Sequence, residues 1–211
     1  MSSQPSQRSV KISADERGGW SSDRPRREGP QRPANLFVHC RVLRPGERLR
    51  YSPGSLLLVA CASDAERDRF LARVIEDRSA LLSSAKVREL LAGRVAAEEL
   101  EERAAQLLYA AAAKRLQARQ TVVLAAPGLQ PADREPFVRL ASELSRPRHL
   151  ILLETARELV AEQDTAALNE LRRALDAGEL GAEGFQTALR LGGGSADDVR
   201  RISFRSLPRE E

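Results

Sequence analysis

The most constraining feature of the sequence is an uninterrupted apolar run at residues 56–60 (LLLVA), which the turn signal Ser52-Pro53-Gly54 precedes. A short continuous run of this kind is typical of a strand covered on both faces, as in a parallel sheet. After a polar connection, apolar residues at 70, 71, 74 and 75 repeat with the period of a helix. The sequence therefore predicts a strand, a tight connection and an amphipathic helix.

Further strands and helices alternate along the chain. The patterns predict strands at 79–84, 121–125 and 149–154, and helices at 86–91, 96–118 and 133–144. Residues 36–51, which include His39, predict an edge strand or a hairpin. Alternation of this kind implies right-handed βαβ crossovers. We predict a three-layer, doubly wound α/β fold with a mainly parallel sheet.

The last third of the sequence is predicted to be mostly helical. Helices at 156–177 and 182–191 would form a lid-like region at about 156–191, before a helical turn at 197–199 and a closing strand at 201–204. Gly192-Gly193-Gly194 would then follow a helix, where glycines usually end the helix and do not cradle a phosphate.

The connection after the first core strand has the position of a phosphate-binding loop. Its eight positions are Cys61, Ala62, Ser63, Asp64, Ala65, Glu66, Arg67 and Asp68. The pattern G-x-x-x-x-G-K-[ST] uses glycines to wrap a phosphate, lysine to reach it and a hydroxyl to hold magnesium. Here Cys61 and Glu66 stand where the glycines belong. Arg67 replaces the lysine, and Asp68 replaces the serine or threonine. Ser63 and Glu66 have the spacing of a capping box, so the helix can satisfy its own first N–H groups. The carboxylates of Asp64, Glu66 and Asp68 would repel a triphosphate.

Composition and charge restrict the partners of this chain. Residues 1–34 carry seven basic and four acidic side chains, so most of the net charge of +4 lies there. They predict a disordered basic tail, followed by a domain at 35–211. The tail could contact nucleic acid weakly, although a solubilising role is the simpler interpretation. Two cysteines and no long apolar run indicate a cytoplasmic protein without membrane contact. Neither His39 nor His149 has neighbours at ligand spacing, so we expect no metal site.

Four segments in register resemble the P-loop kinases of the polynucleotide kinase type, which are grouped with AAA-type ATPases and zeta-toxin-like kinases. The segments are LLLVACASDAERDRFLA, LLSSAKVRELL, TVVLAAPGLQPADREPF and LILLETARELV. The resemblance spans about residues 53–204. It implies ATP and Mg²⁺ as cofactors and phosphoryl transfer to a hydroxyl group.

The departures from this family pattern fall on its catalytic positions. Ala85 replaces the carboxylate general base, and Ala125 and Pro127 replace the acid and threonine near magnesium. The lid carries acidic residues at 161–164, whereas Arg88 and Arg134 match the family's arginines. We therefore predict an inactive kinase-like module with no catalytic residue and no cofactor, which binds another protein. The alternative is an ATP-dependent polynucleotide or small-hydroxyl kinase, in which Arg67 replaces lysine and Asp68 holds the metal.

Overall fold

A fully parallel sheet forms the centre of the computed structural model, which describes residues 37–205. A second, smaller sheet has two strands. In chain order, the strands of both sheets are β1 Arg41–Val42, β2 Arg48–Tyr51, β3 Leu56–Cys61, β4 Leu81–Leu82, β5 Val122–Ala125, β6 Arg148–Leu153, β7 Thr187–Leu191 and β8 Arg201–Phe204. The six-stranded sheet has the order β1-β7-β6-β3-β5-β4, and β2 pairs with β8. Every residue of β3 is buried, as its continuous apolar sequence predicts.

Helices cover both faces of the large sheet. They are α1 Asp64–Val74, α2 Ser84–Leu91, α3 Leu100–Gln117, α4 Pro131–Glu143, α5 Glu162–Asp176 and α6 Gly194–Asp198. On one face, α3, α4 and α5 pack against alternate strand residues such as Leu58 and Leu124. On the other face, α1 and the β2–β8 sheet pack against Leu57 and Val123. The predicted three-layer α/β fold with a mainly parallel sheet is thus confirmed.

The predictions about the periphery of the fold are only partly correct. Of the two alternatives for residues 36–51, the edge strand is confirmed, because β1 lies at the edge of the large sheet. The hairpin is wrong, because β1 pairs with β7 and β2 pairs with β8 in separate sheets. The strand predicted at 79–84 is limited to β4, because α2 already begins at Ser84. His39 lies before β1 and is exposed. The predicted helix at 182–191 is instead β7, because Ala188, Leu189 and Leu191 are buried beside β6. The lid-like region is therefore limited to a 3₁₀ turn at Arg157–Leu159, to α5 and to the 3₁₀ turn at Glu179–Gly181.

The strand identity of 187–191 also changes the context of the glycine cluster. Gly192 and Gly193 link β7 to α6, so the premise that they follow a helix is wrong. The Gly192 N–H nevertheless donates to Ser195 Oγ, and that hydroxyl donates back to the Gly192 carbonyl at 2.8 Å. The Ser195 hydroxyl thus occupies both backbone groups of Gly192 within this connection. The predicted tail at 1–34 lies outside the described residues.

Candidate functional site

The chain order of the strands defines a crevice at the carboxyl end of β3. From β3 the chain crosses to β4 and β5 on one side, and later reaches β6 and β7 on the other side. In open parallel sheets, ligands bind outside the carboxyl ends of the strands where this order reverses. The connection from Cys61 to α1 lies at this point.

The connection is much shorter than the eight positions that the sequence suggested. Only Ala62 and Ser63 separate β3 from α1, so residues 64–68 are helical. The predicted cap is confirmed on the Ser63 side, where its Oγ accepts the Glu66 N–H at 3.3 Å. Glu66 Oε2 is buried without a hydrogen-bond partner among the described residues. Because Ser63 starts the helix so early, no extended loop of free N–H groups forms here.

Arg67, which stands where the family's lysine would, is buried with 3% of its surface exposed. Its Nη1 lies 2.8 Å from Asp64 Oδ1 and donates to the Ala126 carbonyl at 2.9 Å. Its Nε lies 3.3 Å from Asp68 Oδ1. The guanidinium is thus bound on several sides by α1 and by the loop after β5. Two of the three acids expected to repel a phosphate instead neutralise this arginine.

Beside Arg67, a cavity of about 580 Å³ lies between the first turn of α1, the helices α2, α3 and α4, and the loop after β5. Four of the sequence-predicted positions line it: Asp64, Arg67, Arg88 and Pro127. Ala85 follows the lining residue Ser84 in α2, and Ala125 is buried at the end of β5. Arg88 Nη1 donates to both Glu101 carboxylate oxygens at 3.2 and 3.3 Å. The cavity wall is otherwise largely apolar, with Tyr109 and Phe137.

Arg134 lies apart from this cavity, although its sequence position suggested a substrate site. It is 1% exposed, and its Nε and Nη2 donate to the Glu183 carboxylate at 2.8–3.0 Å. Its Nη1 also donates to the Leu129 carbonyl. Arg134 therefore joins α4 to the segment before β7.

A second charged group, which the sequence analysis missed, lies at the carboxyl ends of β6 and β7. Glu154 accepts hydrogen bonds from Arg172 and Arg190, and Arg190 also lies 3.0 Å from Asp176. Burial alone would raise the pKa of Glu154, but the hydrogen bonds and charges of the two arginines hold this pKa below its ordinary value. Glu154 directly follows a buried strand, and this position in the sequence is the feature that could have identified it as a site residue.

Glu154 also lines a second cavity, of about 420 Å³, with Glu66, Phe70 and Thr155. Behind it, Cys61 Sγ lies 3.2 Å from Thr155 Oγ1. Burial raises the pKa of the Cys61 thiol, and the Thr155 hydrogen bond offsets only part of this effect. Cys61 thus has the environment of a structural thiol.

Neither a cluster of metal ligands nor a helix that could span a membrane is present among the described residues. Among residues 37–205, no group of three or more His, Cys, Asp or Glu side chains is arranged to hold a metal ion. No helix in the same range has the length and apolar character that crossing a bilayer requires.

A protein-family model described as an AAA domain (AAA_33) matches residues 62–175, which run from the connection after β3 to the end of α5. The chain belongs to this AAA domain family. The AAA domain also resembles the crystal structure of a "putative kinase" from Chloroflexus aurantiacus, with a TM-score of 0.44 and 16% sequence identity. That match covers 67% of this chain and 86% of the other. A search of curated proteins gave no significant match.

Proposed function

We propose that this AAA domain is a catalytically inactive P-loop kinase-like module that acts by binding another protein. The burial of Arg67 among Asp64, Asp68 and the Ala126 carbonyl is the observation that supports this proposal most strongly. A cation that is already neutralised by neighbouring carboxylates cannot supply its charge to a phosphate without losing these contacts.

The connection itself supports the same conclusion. Phosphate loops offer several free backbone N–H groups. Here two residues join β3 to α1, and Ser63 takes one of the N–H groups of the first helical turn. A nucleoside triphosphate therefore does not fit the residues at this position, and we propose neither ATP nor Mg²⁺ as a cofactor.

The acceptor side of the crevice supports inactivity as well. Phosphoryl transfer depends on a positioned base and on neutralisation of charge. Ala85, Ala125 and Pro127 provide neither. Arg88, the remaining matched cation near the cavity, is paired with Glu101.

A protein partner is favoured by the apolar groups on the surface of α2 and α3. Leu90, Leu107 and Tyr109 are 60%, 45% and 40% exposed, respectively. Exposed apolar side chains give a protein partner area to bury, although Leu107 and Tyr109 are two residues apart on α3 and point in different directions. The retained cavity next to Tyr109 favours the alternative function, an ATP-dependent polynucleotide or small-hydroxyl kinase with an atypical phosphate site.

Calorimetric titration with ATP and Mg²⁺ separates the two functions. The inactive module should give no binding heat up to about 1 mM ATP, which excludes affinities in the micromolar range. A phosphorylation assay with a 5′-hydroxyl oligonucleotide should likewise give no product above background.

A micromolar dissociation constant for ATP would contradict the proposal and support the kinase. In that case Arg88→Gln should abolish the phosphorylation activity. The matched variant Arg139→Gln, at an exposed arginine of α4, should retain the activity.

A further inference from the structure

The outward face of the small β2–β8 sheet is lined with arginines. The register pairs Arg48 with Arg201 and Arg50 with Ser203. Their neighbours Leu49 and Ile202 are buried on the opposite face, so alternation directs the arginines outward. Arg205 extends the pairing, because its N–H donates to the Tyr51 carbonyl at 3.1 Å. We call Arg48, Arg50, Arg201 and Arg205 the arginine face.

The arginine face carries more positive charge than its neighbours neutralise. Like charges at paired positions of two strands destabilise a sheet unless an anion lies between them. Arg201 is paired with Glu76 at 2.7 Å. Arg48, Arg50 and Arg205 are exposed, and within residues 37–205 none of the three forms an ion pair with a carboxylate. This arrangement leaves a net positive surface on a domain whose total charge is close to zero.

A cavity of about 430 Å³ adjoins the arginine face, at the amino-terminal ends of β4 and β5. Arg201, Arg205 and Arg115 line it, together with the half-buried ring of Phe204. Arg115 Nε donates to the Thr121 carbonyl at 3.2 Å, which fixes this side chain. The Phe204 ring is held by Tyr51, with ring centroids 6.0 Å apart. Alternation places the Phe204 ring on the same side of β8 as Ile202, opposite to the arginine face, and the exposed part of the ring borders this cavity.

Two carboxylates also line the cavity, and both have partners. Glu76 pairs with Arg201. Asp77 accepts hydrogen bonds from the backbone N–H and the hydroxyl of Ser79, at 2.9 and 2.6 Å. These hydrogen bonds lower the pKa of Asp77, although it remains charged in either case. The arginines outnumber the carboxylates on this surface.

We propose that the arginine face and the adjoining cavity bind single-stranded nucleic acid. Guanidinium groups bind phosphate oxygens through two parallel hydrogen bonds, and residues two apart on a strand lie about 6.6 Å apart, so they can contact successive phosphates. An unpaired base that enters the cavity at the edge of β8 can contact the exposed part of the Phe204 ring, which a base within a duplex cannot reach. An acidic side chain of a protein would form ion pairs with the arginines but would not stack on the aromatic ring. This proposal is independent of the proposed function, because the surface lies at the opposite end of the sheet from the crevice.

The test uses the full chain and a fluorescein-labelled oligothymidylate, with binding followed by anisotropy between about 50 and 200 mM salt. The variant Arg48→Gln/Arg50→Gln/Arg205→Gln removes three exposed charges from the arginine face. The matched control Arg103→Gln/Arg139→Gln/Arg173→Gln removes three exposed charges from α3, α4 and α5.

The wild-type chain should bind, and its affinity should fall as salt rises. The arginine-face variant should bind at least tenfold more weakly, and the slope of log K against log salt should decrease by about 2, because each phosphate contact on a single strand contributes about 0.7. The control variant should stay within about twofold of wild type. Phe204→Leu should weaken binding about tenfold without changing the slope, since stacking on a base is uncharged.

Three results would overturn the proposal. Equal losses in both triple variants would show that the arginine face has no special role and would favour the basic segment at 1–34. Equal competition by polyglutamate and by unlabelled oligonucleotide would show that the surface prefers acidic protein. Failure of the folded wild-type chain to bind at about 50 mM salt would exclude the interaction altogether.

Discussion

Arg67 and Asp64 form an ion pair of 2.8 Å across one turn of α1, in which the arginine side chain is 4% exposed and the aspartate side chain 70% exposed. The sequence resemblance matches Arg67 to a phosphate-binding lysine, and in this structure the charge of Arg67 is already paired with Asp64. The asymmetry of the pair also indicates what each residue contributes. Arg67 is the structural member, because it alone reaches the Ala126 carbonyl.

Replacing Arg67 should therefore destabilise the domain. Arg67→Ala leaves the Ala126 carbonyl without this donor and both aspartates without their cation, so we expect a loss of about 3 kcal/mol in the free energy of unfolding. Arg67→Lys should lose about half as much, because one ammonium group cannot replace the fork of donors. Urea unfolding measures both changes.

The control for Arg67 is Arg69→Ala, which removes an exposed arginine from the same helix and should change stability by less than about 0.5 kcal/mol. Wild-type stability in Arg67→Ala, together with altered ATP binding, would instead identify Arg67 as a ligand-binding cation.

Glu154 should contribute to stability only when it is ionised. Its pKa in the folded domain lies below the ordinary value, so the folded state binds its proton less readily than the unfolded state. This contribution is complete above the unfolded pKa of about 4.3 and is lost as pH falls through the lower folded pKa. Glu154→Gln should therefore reduce stability at neutral pH and flatten its acid dependence. Urea midpoints from about pH 6 to 3 measure this effect, and Glu158→Gln, at an exposed glutamate, should retain the wild-type pH dependence.

His149 should give a second and separate loss of stability at acid pH. It is 7% exposed, its ring lies 4.6 Å from the Tyr51 ring, and its Nδ1 lies 2.8 Å from Thr187 Oγ1. Burial, helped by the charge of Arg148, lowers the pKa of His149 to about 4. Between pH 6.5 and about 4 the unfolded chain binds a proton that the folded domain does not. Stability should therefore fall across this window, by roughly 3 kcal/mol in total.

The variant His149→Phe keeps an aromatic ring beside Tyr51 but has no imidazole to protonate. The part of the stability loss between about pH 6.5 and 4 that His149 causes should therefore be absent. His39→Gln, at an exposed histidine, should keep the wild-type loss. An NMR titration of the His149 ring protons with a midpoint above about 6 would contradict the prediction.

Two glycines with the same backbone conformation separate conformational strain from steric contact. Gly54 and Gly93 have φ angles of +71° and +72°. A Cβ at Gly54 would lie 2.8 Å from the Arg119 carbonyl oxygen, whereas a Cβ at Gly93 would meet nothing within 4 Å. Gly93→Ala should cost about 1 kcal/mol and Gly54→Ala about 3 kcal/mol in unfolding free energy. Equal losses of unfolding free energy in the two variants would contradict this prediction, because they would show that the backbone near Arg119 can shift to accommodate a Cβ at Gly54.

The elements that the sequence predicted correctly are those with a local cause. The burial of β3 follows from its continuous apolar residues, and α1 begins where Ser63 can accept the N–H of Glu66. The pattern of 187–191 failed because Ala188 and Leu189 suit either a helix or a strand. Only the pairing of this segment with β6 makes it a strand.

In the candidate site, the sequence determined which chemical groups are present, and it therefore identified the missing glycines, lysine and carboxylate base. The tertiary structure decided where the remaining groups lie. Within the site, Arg67 contacts Ala126; outside it, Arg134 contacts Glu183 and Arg48 lies beside Arg201. These partners are 59, 49 and 153 residues apart in the chain, so no local pattern could indicate them. Composition and periodicity act over a few residues, whereas packing of the sheet brings together groups whose separation in sequence carries no such signal.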